Sequence, residues 1–167
     1  GELTELGVRV IKEMNELGII LDLSHISEKS FFQALKENKK PAIISHACCK
    51  AVYNHPRNVT DKQMTAVAKT GGAVGICAVP KFVGDLSINA YVNHLLHAIK
   101  VVGVNHVIIG TDFGSMTGEK LIPNFGEVSD LKNLELLLKK QGLEKNQIEK
   151  LFHKNLEGIL SKVLPVI

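Results

Sequence analysis

Tryptophan is absent from this chain of 167 residues, and aromatic residues make up only 5% of it. A core built that way relies on aliphatic side chains, which suits buried parallel strands better than an antiparallel sandwich. Cysteine is scarce: of the three present, Cys48 and Cys49 are neighbours and poorly placed to bridge each other. An odd count without a spacing pattern argues against a disulfide scaffold and points to a reducing, cytoplasmic compartment. No apolar stretch approaches the ~18–20 residues of a membrane span. No secretory signal is visible at the amino end, where the chain is expected to begin in the middle of a structural unit. The 20 basic and 17 acidic residues leave a net charge of only +3. With no arginine-rich face and no basic cluster interleaved with aromatics, nucleic acid is not an expected partner.

What is present is aliphatic, 45% hydrophobic overall, and long enough for one domain with a substantial core. Three apolar runs each end on a residue that binds metal or moves protons: Ile19 to His25, Ala42 to His46, and His106 to Asp112. Leu3 to Leu17 predicts an amphipathic helix started near Thr4 and closed by Gly18. A strand is expected at about Ile19–Leu23, then a helix capped by Ser27 that ends near Asn38. Ala42–Ser45 predicts the second strand, followed by a long connection through His55-Pro56-Arg57-Asn58. Thr60 and Gln63 form a capping box for a helix ending at Gly71-Gly72. Ala73–Ala78 predicts the third strand, and Ser87 caps a helix that runs to Gly103. The fourth strand is Val107–Gly110, after which Ser129 is expected to cap a helix closing at Gly142. About two more helical segments finish the chain.

The pattern is one helix followed by four strand–helix units, with the spacing of right-handed parallel crossovers. A doubly wound open sheet fits it, and so does half of a (β/α)8 barrel. No Gly-rich phosphate loop follows the first strand, which weakens the nucleotide-binding form of the open sheet. The expected fold class is therefore α/β, half of a TIM-type barrel with about four parallel strands, forming a single domain over residues 1–167. Because a helix leads, the strand that precedes it is expected upstream.

In parallel α/β folds the carboxyl ends of the strands share one face, where sites are built. His25 and His46 stand 21 residues apart, a spacing that sets them on adjacent strand ends. Zinc takes imidazole nitrogen and, at catalytic sites, leaves one position for water. A lone histidine at a strand end is as often a hydrogen-bonded rim residue as a ligand. Two in succession, with Asp112 two strands on, favour a metal. Asp112 is expected to accept a proton or bind a substrate amine, although capping a loop is the commoner work of such an aspartate. Arg57, beyond His46, can clamp a substrate carboxylate, against the default of a surface arginine. His94 and His97 read as a packed or solvated helix face, His106 lies at the wrong end of its strand, His55 rims the mouth, and His153 is surface. Cys77 reads as a buried, inert thiol.

These residues together resemble the membrane (renal) dipeptidase family of zinc peptidases, within the metal-dependent amidohydrolase-type barrels. The resemblance is carried by Leu3-Thr4-Glu5-Leu6-Gly7, Glu13-Met14-Asn15-Glu16-Leu17-Gly18, and Leu21-Asp22-Leu23-Ser24-His25-Ile26-Ser27. Further carriers are Pro41-Ala42-Ile43-Ile44-Ser45-His46-Ala47, Pro56-Arg57-Asn58-Val59 and Gly110-Thr111-Asp112-Phe113. It implies an eight-stranded barrel with two zinc ions that hydrolyses dipeptides. His25 and His46 match the two histidines that hold one zinc, Arg57 the arginine that binds the substrate carboxylate, and Asp112 the aspartate near the substrate amine. The family's His-x-Asp pair, bridging glutamate and further substrate-contacting histidine lie upstream of the region represented here. Cys77 stands where the family commonly has asparagine.

The expected function is thus that of a zinc-dependent dipeptidase, as the carboxyl-terminal half of its barrel, with at most a partial zinc site. Its expected partners are a dipeptide substrate and the missing amino-terminal half or a second copy of the chain, so a homo-oligomer is expected. Two other readings are a different amidohydrolase-type metal hydrolase and a non-catalytic relic serving as an oligomerising module.

Overall fold

A computed structural model describes residues 1–114 and 120–165. Helix α1 (Glu5–Leu17) starts where the Thr4 hydroxyl accepts the Gly7 N–H, and stops where Gly18 turns left-handed at φ 69°. Helix α2 (Glu28–Glu37) is capped by Ser27. Buried Asn15 ties the two together, donating to the Glu37 carbonyl and accepting from the Lys39 amide.

Three parallel strands follow in the order β1 (Ile43–Ala47), β2 (Ala73–Ile76), β3 (Val107–Ile109). The Thr60–Gln63 capping box is formed and opens helix α3 (Asp61–Lys69), which connects β1 to β2. After β2 comes a short helix that the pattern did not signal, α4 (Pro80–Val83), and then α5 (Ile88–Val102), capped by Ser87. A 3-10 turn at Val104–His106 leads into β3. The carboxyl end carries α6 (Leu131–Lys140), α7 (Lys145–Glu149), a π-helical turn (Lys150–Lys154) and α8 (Asn155–Val163). Among the described residues no helix is long and apolar enough to cross a membrane.

Alternating strand residues face opposite ways. Ile44, Val74, Ile76 and Val107 join the large cluster that includes Phe31, Met64, Tyr91 and Leu95. Ala73 and Ile108 face a smaller cluster with Ile159 and Val163 of α8. Thus α3 and α5 cover one face of the sheet and α8 the other.

Two expectations need correction. The Ile19–Leu23 segment makes a single parallel bridge, Asp22 to Ile43, so among the described residues the sheet has three strands rather than four. Backbone pairing there consists of Leu23 N–H to the Ile43 carbonyl and Ile43 N–H to the Leu21 carbonyl. Beyond these, the Asp22 carboxylate itself takes the Ser24 and Ser45 amides, each at 3.0 Å, in place of a continuing ladder. Second, Ser129 caps nothing: its hydroxyl donates to Glu127 inside a 3-10 turn (Val128–Asp130) that precedes α6.

Candidate metal and substrate site

The site begins with an irregularity in β1. Ile44 pairs with Val74, but Ala47 pairs with Ile76, so three steps on β1 match two on β2 and the strand bulges at Ser45-His46. A bulge re-aims side chains at the end of a strand. Glycines make room for it, since β-carbons at Gly75 and Gly110 would stand 2.0 and 1.9 Å from the Ser45 carbonyl oxygen. His25 is brought to the same place by a backbone turn with φ 66°, a left-handed conformation uncommon for a non-glycine residue.

The two imidazoles meet. His25 Nε2 and His46 Nε2 lie 2.7 Å apart, with ring centroids at 4.8 Å. On its other nitrogen His46 contacts Ser45 Oγ at 2.8 Å, and Ser45 Oγ lies 2.5 Å from Asp22 Oδ2. Arg57 Nη2 donates toward His25 Nε2 at 3.2 Å. Its guanidinium also lies over the Phe82 ring, 5.4 Å from the centroid. A cleft of about 90 Å³ borders His25, His46 and Arg57.

The loop carrying Arg57 is anchored by Asn58, whose side-chain amide donates to the Tyr53 and Phe82 carbonyls at 2.9 and 2.8 Å. A parallel bridge from Cys49 to Val59 closes the loop's base. Asp112 follows β3 in a second non-glycine left-handed turn, φ 59°, and is half-buried. Its loop is tied to the end of β2 by Ala78 N–H to the Thr111 carbonyl.

Electrostatics favour the neutral form of His25. Partial burial and then the Arg57 and His46 charges lower its pKa, opposed by Asp112 and Asp22. Withdrawal from water raises the Asp22 pKa, but the hydrogen bonds from Ser45 and Ser24 outweigh it and hold the carboxyl below its ordinary value.

These residues fit a cation as a two-nitrogen set. The facing Nε2 atoms are a hydrogen bond if one ring carries a proton there, and a pair of metal donors if neither does. Among the described residues no group of three or more His, Cys, Asp or Glu is arranged to hold a metal. The other histidines are employed elsewhere. His94 is fully buried, accepting the Cys49 amide at Nδ1 and donating to the Val83 carbonyl. His97 pairs with Asp61, His106 with the Gly72 carbonyl, His153 with Glu157, and His55 stacks on Tyr53 and tilts against Phe82. Cys77 is buried, with the Cys48 sulfur 3.5 Å away. Asp22, Ser24 and Ser45 were not singled out by sequence reasoning, although a carboxylate inside the apolar run Ile19 to Leu23 was a signal.

The chain is similar to known proteins along nearly its whole length. Residues 1–166 match the model of the family described as membrane dipeptidase, peptidase family M19. An uncharacterized dipeptidase of Schizosaccharomyces pombe is 33% identical over 92% of this chain and 38% of its own length. The dipeptidase tcpJ of Claviceps purpurea is 30% identical over 96% of the chain and 38% of its own. A metallopeptidase of Rhodobacter sphaeroides, solved with a phosphinate mimic of the dipeptide L-Ala-D-Ala, superposes with TM-score 0.90 at 31% identity. That match covers 98% of this chain and 48% of the other. The chain spans 38 to 61% of the length of the curated relatives it matches.

Proposed function

The chain belongs to the membrane dipeptidase family, peptidase family M19, and on that premise we propose that it is the carboxyl-terminal half of a zinc dipeptidase barrel. The observation that carries this reading is the pair of Nε2 atoms 2.7 Å apart at the carboxyl end of a parallel sheet. His25 and His46 hold the metal, which when bound supplies a Lewis acid and an activated water. Arg57, with its guanidinium braced on Phe82, binds the free carboxylate of the dipeptide. Asp112 receives the substrate amine and handles the proton passed to the leaving group.

The edges of the sheet support a missing complement. Among the described residues β3 is an outer strand, and β1 is flanked on its other side only by the Asp22–Ile43 bridge. Leu6, Val10 and Leu17 of α1 are 62, 49 and 56% exposed, an apolar stripe that a covering partner would bury. That partner is the amino-terminal half, which brings the remaining ligands, or a second copy of the chain, which covers the exposed edges alone.

Zinc titration tests the reading. Zinc raises the melting temperature of the chain by mass action, and His25→Ala or His46→Ala removes the rise. Ala–Ala-type dipeptides are hydrolysed only when a segment supplying the upstream ligands is joined to the chain. Zinc-independent melting of the wild type overturns the metal assignment. Robust hydrolysis by the chain alone overturns the half-site.

A further inference from the structure

We propose that Asp22 and Ser45 are positioning residues for His46, fixing the tautomer in which Nδ1 carries the proton and Nε2 presents a lone pair to the metal. The inference rests on the reading that His25 and His46 share a cation. It follows from counting protons around one hydroxyl. A carboxylate accepts hydrogen bonds and does not donate them, so the Ser45 hydroxyl proton points at Asp22 Oδ2, 2.5 Å away. That leaves Ser45 Oγ with two lone pairs. One faces His46 Nδ1 at 2.8 Å, the other Ser24 Oγ at 3.1 Å.

With its only proton given to Asp22, Ser45 Oγ accepts from both neighbours. His46 Nδ1 must therefore be the protonated nitrogen. Ser24 is held in the matching sense, because its own oxygen accepts the His46 amide at 3.2 Å. Asp22 is fixed in turn by the Ser24 and Ser45 amides on Oδ1. With Nδ1 carrying the proton, Nε2 is the unprotonated nitrogen of the neutral His46 ring. The orientation is set from the bulge outward: β1 supplies both Ser45 and His46, and the neighbouring segment supplies Asp22 and Ser24.

The test reads the tautomer directly, in the full chain without added metal. ¹⁵N NMR of the imidazoles above their titration range is expected to show His46 protonated at Nδ1 in the wild type and in Ser45→Thr. In Ser45→Ala and Asp22→Asn the signal moves toward the Nε2-protonated form. Zinc affinity, measured by competition with a chromophoric chelator, falls about 10–100-fold in the same two variants and is retained in Ser45→Thr. An unchanged Nδ1–H signature in Asp22→Asn and Ser45→Ala overturns the proposal. If Ser45→Ala does not fold, Asp22→Asn against Ser45→Thr decides it alone. A wild type that binds no zinc overturns the metal reading, while the tautomer comparison still decides the positioning.

Discussion

The carbonyl oxygen of Ser45 lies against the Cα of Gly75, so close that a β-carbon there would stand 2.0 Å from it. Both partners are backbone, so neither can swing aside as a flexible side chain would. Gly75→Ala must undo the bulge that aims His46 or push β1 away from β2. We expect a loss of about 3 kcal/mol, in the range of a severe overpacking. In a chain of this size that lowers the melting temperature by roughly 6–12 °C. Gly158→Ala, at a helical position where a β-carbon meets nothing within 4 Å, is the control and is expected to stabilise by up to about 1 kcal/mol. Equal melting of Gly75→Ala and wild type would refute the packing argument.

Arg57 does two things to His25: it donates a hydrogen bond to Nε2 and, after burial, contributes to lowering the pKa. A histidine whose pKa is lower folded than unfolded favours folding above the unfolded value of ~6.5, and the contribution is lost as pH falls toward the folded value. Arg57→Ala is expected to move the His25 titration upward, which NMR of the imidazole protons reads. The same change makes zinc compete more strongly with a proton at His25 as pH falls. A His25 titration that does not move would remove Arg57 from the site's electrostatics.

Asn58 is buried and spans the Arg57 loop, holding the Tyr53 and Phe82 carbonyls through one amide. Asn58→Ala leaves two inward carbonyls without their donor, a cost of about 2 kcal/mol. Its more telling effect is on placement, because the loop is then anchored chiefly at the Cys49–Val59 bridge. In the joined, active barrel we expect KM for dipeptides to rise about tenfold with a smaller change in kcat. A fall in kcat alone would assign Asn58 a different role.

Much of this was legible in the sequence because the signals were local. Thr4, Ser27, Thr60 and Ser87 cap the helices they were expected to cap, since a hydroxyl before an apolar periodicity has few other roles. The convergence of His25 and His46 was legible through the ends of apolar runs, whereas Arg57 lies in the loop beyond the second. The failures are equally physical. Ile19–Leu23 has the composition of a strand, yet Asp22 spends its carboxylate on the amides that a ladder would use. No periodicity announces that exchange, nor the bulge, which depends on Gly75 in β2 and Gly110 just past the end of β3. Tertiary contacts decided both.

The three thiols give the last prediction. Cys48, Cys49 and Cys77 are 0, 0 and 1% exposed. Burial, with the Asp61 charge behind it, pushes the Cys49 pKa up to about 12, and its sulfur contacts Met64 and the His94 carbonyl. Since the thiolate is the reactive species, Cys49 is both shielded and protonated at pH 8. Burial shields Cys48 and Cys77 from reagent as well. An aromatic disulfide reagent at that pH should label the native chain only as fast as it opens, and all three cysteines at once in strong denaturant. Labelling of any cysteine within the mixing time would mean that the end of β1 or β2 opens readily. Such opening would undermine the rigid bulge on which the placement of His46 depends.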